Sequence, residues 1–358
     1  MSKLQPDAEM IRKVTEFAQK VAWENPDLQV LKSEFAGHYP LIAETIQDHL
    51  VRSDRRQKLV LPDLRAFANQ SVGVFTDYGG ESSDAKFRTY STLVCGWNLT
   101  NPFVEGMTLV RNIHRLGEKE IAFKDFGMGQ VARALPGYLN ALDRVPGFLF
   151  TLAVDRQLSS IFGPQTKEAR ERIGQDLEAA GLGVRKPAIN EKLLRIVHVA
   201  ALLTGLLTHD GQQIFWMTDK DSIVPSQEQH GYALDLFGRI LTMYARDGFS
   251  FPSLVGFTPF AQRNLVLLDL LSSTDVVAGA VEQYLTRWQS TDPADIQVKE
   301  GCDLVLQWLA HDGVGLKKMN VMLRPGAGEN IEAVTLEFDL QNPPDDPIII
   351  PVPVEGSD

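Results

Sequence analysis

The stretch Gly73–Ser82, GVFTDYGGES, decides the fold. Val72, Val74 and Phe75 form a short run of β-branched and aromatic side chains, which predicts a buried strand. The run passes into Thr76-Asp77, and Gly79-Gly80 then break it with backbone freedom that residues bearing a Cβ lack. A carboxylate at the end of a buried strand is costly unless donors or a cation meet it. A bound metal ion is one remedy, and a plain cap on the following turn is the other. The choice depends on what else in the chain converges on Asp77.

Working outward, Phe87–Trp97 reads as a second strand, antiparallel to the first across a short polar connection. A short helix is expected over 105–117. Glu120–Lys124 then alternates like a strand, with Glu120, Ala122 and Lys124 on one face. A helix follows from Gln130 to Asp143. Gly147–Asp155, GFLFTLAVD, is almost wholly apolar, so it predicts a central strand covered on both faces. It also ends in a carboxylate. Helices are expected over 166–180 and Asn190–Thr208, and between them Gly181, Gly183 and Pro187 interrupt the chain. Ile214–Thr218 is a third apolar strand running into acid, here Asp219-Lys220-Asp221. Helices over 229–246 and Arg263–Trp288 come next, the latter carrying Asp275 among Val276, Val277, Ala278, Gly279 and Ala280. Asp269, six residues earlier, points to another side of that helix. A helix near 299–311 and an alternating strand over Val334–Leu340 precede a tail rich in proline.

Strands alternating with helices after an antiparallel pair indicate an α/β domain with a mixed sheet flanked by helices. The expected organisation is a helical N-terminal extension over 1–58, with helices near Asp7–Val21 and Leu41–Val51, and an α/β core over 59–290. Residues 291–358 add a helix, a strand and an acidic tail.

Composition narrows the function classes. The chain has 358 residues, 44% hydrophobic and 23% charged, as a globular protein does. It has no apolar run of about 18 residues, so no membrane partner is expected. The acidic start and the two cysteines, Cys95 and Cys302, suit a cytoplasmic protein, and two cysteines alone make no zinc site. A net charge of −11 argues against non-specific nucleic-acid binding. Eight acids and no Lys or Arg lie in 326–358, however, so the rest of the chain is far less acidic. Arg52, Arg55, Arg56, Lys58 and Arg65 cluster before the core, as a solvated face or a phosphate contact. The seven histidines show no paired ligand spacing, and His198 in its apolar helix reads as a packed core residue.

Three strands thus deliver Asp77, Asp155 and Asp219 to strand ends, and a late helix supplies Asp275. Clustered carboxylates repel, and a divalent cation removes the repulsion while activating water. Hard oxygen ligands suit Mg²⁺ or Mn²⁺. Four independent caps or surface acids are the plain alternative.

Asp77-Tyr78-Gly79-Gly80-Glu81-Ser82, the Glu120 to Lys124 segment, Asp219 with Asp221, and Thr274-Asp275-Val276-Val277-Ala278-Gly279 together resemble a family of bacterial RNase H-like proteins, domain of unknown function 3800. The resemblance spans about 70–290. The family's first motif is Asp-Glu-Ser-Gly, here stretched and reordered, and two extra residues separate the pair of its Glu-x-Lys strand. The resemblance implies a mixed five-stranded sheet flanked by helices. It further implies acids from the first strand, a middle strand and the last helix, holding divalent metal for phosphodiester hydrolysis. Asp77 would then sit at the centre, with Asp219 or Asp155 and Asp275 as further ligands and Glu120 as a weaker one. Lys124 would contact a phosphate or stabilise developing charge. The substrate would be a nucleic acid or a nucleotide. A catalytically inactive scaffold, binding a protein partner through the N-terminal helices and acidic tail, is the alternative.

Overall fold

The computed structural model describes residues 25–32, 39–158, 160–162, 167–257, 264–290, 297–326 and 331–338. The helix expected near Asp7–Val21 and the tail beyond 338 lie outside these residues. Among the described residues the elements run α1 (Leu41–Arg55), β1 (Ser71–Gly79), β2 (Phe87–Gly96), α2 (Asn101–His114), α3 (Gly129–Leu142), β3 (Gly147–Asp155) and α4 (Lys167–Ala179). They continue with α5 (Pro187–Leu207), β4 (Gln213–Thr218), α6 (Gln227–Tyr244), β5 (Leu254–Phe257), α7 (Leu265–Ser290), α8 (Cys302–Leu309), β6 (Leu316–Pro325) and β7 (Ile331–Thr335). No described helix is long and apolar enough to cross a membrane.

The seven strands form one mixed sheet in the order β5-β4-β1-β2-β3-β6-β7. β1, β2 and β3 are successive antiparallel neighbours, while β4 lies parallel to β1 and β5 parallel to β4. β6 extends the sheet parallel to β3, and β7 pairs antiparallel to β6. The segment after residue 290 therefore continues the sheet of the core. The chain is α/β, with a mixed sheet flanked by helices.

The two-residue period sorts the strand residues into two apolar layers. Val72, Val74, Tyr78, Phe148, Phe150, Leu152 and Trp216 face α1, α5 and α6. Phe75, Leu93, Leu149, Ala153 and Met217 face α2, α3 and α7. β3 is buried along its whole length, because strands flank both its edges and helices cover both its faces. α7 crosses β1, β2 and β3, and it comes close enough for the Thr89 hydroxyl to donate to the Ala278 carbonyl at 2.8 Å.

Three sequence expectations are corrected. Glu120–Lys124 is not a strand: Ala122 is extended, but Phe123–Asp125 closes into a 3₁₀ turn. The Phe123 N–H donates to the Asp275 carboxylate at 2.7 Å, and Lys299 Nζ donates to the carbonyls of Phe123 and Lys124 at 2.9 and 2.8 Å. The backbone of this segment finds its partners on α7 and ahead of α8, so it needs no ladder. The C-terminal strand is Ile331–Thr335, earlier than Val334–Leu340, because its register is set by pairing with the end of β6. β6 itself was not expected, since Lys317, Lys318 and Asn320 interrupt its apolar pattern. The Lys318 ammonium is buried, 3.6 Å above the Trp308 ring and 3.1 Å from Asp143.

Candidate functional site

Asp77 lies two residues before the end of β1, and alternation turns it with Phe75 toward α7. It is 7% exposed. Its Oδ1 accepts the Tyr78 N–H at 2.7 Å. β4 is parallel to β1 with Thr76 opposite Thr218, and the next amide, Asp219 N–H, still donates to the Thr76 carbonyl at 3.2 Å. The ladder thus carries Asp219 beside Asp77, in the position one strand spacing of about 4.8 Å away. Asp219 is half-buried.

Asp275 reaches the same place from the helix layer. Its Oδ2 accepts the Phe123 N–H. That bond brings in the 120–125 segment, so Glu120 stands at the exposed rim and Lys124 is exposed above it. Gly279 allows this approach, because a Cβ there would overlap the Phe123 ring.

The four carboxylates form one electrostatic group. Burial pushes Asp77 well above the usual carboxylate range, and Asp275, Asp219 and Glu120 push it further. Burial raises Asp275 to about 6, with Glu120 and Asp219 adding to the rise and Lys124 opposing it. Asp219 and Glu120 are raised too, first by loss of water, and Lys124 opposes both. Neither Asp77 nor Asp275 has an ion-pair partner among the described residues. Asp269, six residues before Asp275 on α7, behaves differently. It takes a two-pronged bond from Arg111, with Nε to Oδ2 at 2.9 Å.

Asp155 does not join the group. Asp77 is opposite Ser91 on β2, and Ser91 is opposite Thr151 on β3. Asp155 therefore sits four residues further along and two strands across, about 13 Å by about 10 Å at ordinary strand dimensions. It accepts the Gln157 N–H at 2.9 Å and the Gln289 side-chain amide at 3.2 Å, as a turn cap does. Next to Asp77 on the sheet are two buried hydroxyls, Ser91 and Thr151, bonded to each other at 2.8 Å.

The opposite face of the same sheet edge holds residues the sequence did not single out. Lys192, in the second turn of α5, is 4% exposed. Its ammonium lies 3.6 Å above the Tyr78 ring, 2.7 Å from Glu81, and against Asp221. One turn on, Arg195 pairs with Glu191 at 3.0 Å, both almost fully buried. The only trace in the sequence was the Glu191/Arg195 spacing of four in an otherwise apolar helix. His198 is a core residue, bonded to the Tyr244 hydroxyl at 2.6 Å and pushed by burial down to about 4. Cys95 and Cys302 are buried thiols raised to about 12.

Among the described residues, no three His, Cys, Asp or Glu side chains stand close enough together to hold a metal ion as they are arranged. No family model matches the chain, and no curated protein or solved structure matches it either. The donor set itself is hard carboxylate oxygen from Asp77, Asp219, Asp275 and Glu120. It suits Mg²⁺ or Mn²⁺, and Asp77 and Asp275 each give one oxygen to a single backbone N–H and keep the other.

Proposed function

We propose that the chain is a divalent-metal-dependent nuclease or phosphodiesterase of RNase H-like fold, divergent within the family its motifs resemble. One observation carries this. Acids from the first strand, a middle strand and the last core helix lie near enough to raise one another, and the two most buried have no ion-pair partner among the described residues. The sheet is mixed and flanked by helices, and it has seven strands where the resemblance implies five.

Asp77 would be the central ligand of such a metal, with Asp219, Asp275 and Glu120 as the further ligands. A bound Mg²⁺ or Mn²⁺ would remove the mutual repulsion of these acids and lower the pKa of a coordinated water. Lys124, exposed beside these acids, would meet a phosphate oxygen and stabilise the charge that develops there. The Phe123 N–H fixes one oxygen of Asp275, and the Tyr78 N–H fixes one of Asp77. Asp155 caps its own turn and takes no part. The substrate is a nucleic acid or a nucleotide.

Calorimetric titration of Mn²⁺ into the wild type and Asp77→Asn tests the site. Saturable binding that the substitution abolishes is the expected result, and hydrolysis of RNA, DNA and hybrid substrates follows from it. Absence of binding to the wild type, with and without a phosphodiester present, overturns the proposal. The fold is then a scaffold for a protein partner.

A further inference from the structure

Asp77 lies in β1 and Asp219 just past the end of β4, and beyond them the two loops carry a second acid pair, Glu81 and Asp221. Asp77 and Asp219 face α7, whereas Glu81 and Asp221 meet Lys192 on the α5 side. The Lys192 ammonium also lies on the ring of Tyr78, the residue after Asp77, and the Tyr78 hydroxyl donates to the Asp219 carbonyl at 3.4 Å. One buried cation thus touches both segments that present the central acids, without touching those acids itself.

We infer that Lys192 is a positioning residue for the proposed metal site: from the opposite face of the sheet it ties the β1 turn to the β4 loop, so that Asp77 and Asp219 stay side by side. This rests on the metal-dependent function proposed above. The physical reason is repulsion. Two like-charged strand ends repel, and past the last ladder pair, Thr76 and Thr218, the Asp219 N–H and the Tyr78 hydroxyl hold them from within the sheet. A cation shared by Glu81 and Asp221 supplies the missing attraction, and cation–π contact holds it in place. Glu81, the acid of the stretched first motif, therefore serves the clamp rather than the metal.

The test is Mn²⁺ titration calorimetry on the full chain, comparing wild type, Lys192→Met, Lys192→Arg and Glu81→Gln. Groups that orient metal ligands are worth about 10- to 100-fold in metal affinity. Lys192→Met is expected to weaken Mn²⁺ at least 10-fold with the binding stoichiometry unchanged. Lys192→Arg, which keeps the charge and the ring contact, is expected to recover most of that affinity. Glu81→Gln removes only the more exposed arm, 61% accessible, and is expected to cost about 3-fold; it remains informative if Lys192→Met does not fold. Wild-type affinity in both Lys192→Met and Glu81→Gln overturns the assignment and leaves the metal site standing. A lowered stoichiometry at unchanged affinity also overturns it, since that marks lost folded protein. If the wild type binds no Mn²⁺, the metal function fails first and the positioning role falls with it.

Discussion

The two faces of one sheet edge solve the same electrostatic problem in opposite ways. On the α5 side, Glu81, Asp221 and Glu191 are each matched by Lys192 or Arg195. Burial alone would raise Asp221, yet its bonds from Lys192 and Ser222 hold it below the usual carboxylate range. On the α7 side, Asp77 and Asp275 are raised by burial and by neighbouring acids, Asp275, Asp219 and Glu120 at the first and Glu120 and Asp219 at the second. Proteins bury charges where they pair them, and unpaired buried acids mark a place where something else is expected to bind. The first face is finished in the folded chain. On the function proposed here, the second is completed by a bound metal ion.

The contrast breaks most visibly if the finished face is opened. Arg195→Met leaves Glu191 buried with, among the described residues, the Ser160 hydroxyl and the Ile161 N–H as its donors. Removing one partner of a buried pair costs about 3–5 kcal/mol. Urea denaturation is expected to show a loss of that size. A loss under about 1 kcal/mol would mean that water reaches Glu191 and the face is not sealed.

The unpaired face is expected to respond with the opposite sign. A group whose folded pKa is raised contributes stability that is fully present below its unfolded pKa, and this is lost as pH rises through the folded value. For Asp275 the window runs from about 4 in the unfolded chain to about 6 in the fold. Asp275→Asn keeps an acceptor for the Phe123 N–H and removes the charge. It is expected to stabilise the metal-free protein at pH 7.5 by on the order of 2 kcal/mol, an advantage that fades below pH 4. Saturating Mn²⁺ is expected to raise the Tm of the wild type and not of the variant. Thermal melts across pH 3.5–8 check both; an Asp275→Asn protein less stable than wild type at pH 7.5 would show that the acid is already compensated.

Much of this was legible in the chain. Asp77, Asp219 and Asp275 stand where strand ends and a small-residue helix face foretold, because period and punctuation are local properties. Glu120 and Lys124 reach the rim on a turn rather than a strand. The bond from Phe123 to Asp275 that decides this joins residues 152 positions apart. Lys192 was hidden because helix periodicity treats a buried lysine as a break in the apolar face. β6 was hidden for the same reason, since Lys318 lies under a tryptophan ring instead of in water. Register was the other missing quantity. Three apolar runs lead into Asp in the sequence, but only the pairing of Asp77 with Ser91 and of Ser91 with Thr151 tells how far along the sheet each acid falls.

Asp155 therefore gives the smallest effect, and the sharpest control. It shares with Asp77 a strand end, a near-complete burial and the face toward α7. It differs in having two donors of its own, the Gln157 N–H and the Gln289 amide. Asp155→Asn keeps an acceptor for Gln157 and weakens the bond from Gln289, which is worth about 0.5–1.5 kcal/mol as an ordinary hydrogen bond. Mn²⁺ affinity is expected to stay within about twofold of wild type, while Asp77→Asn abolishes it. Calorimetry on the two variants side by side separates convergence from mere burial. Equal losses of Mn²⁺ binding would mean that a strand-end carboxylate acts through general charge, and that the grouping around Asp77 has no special standing.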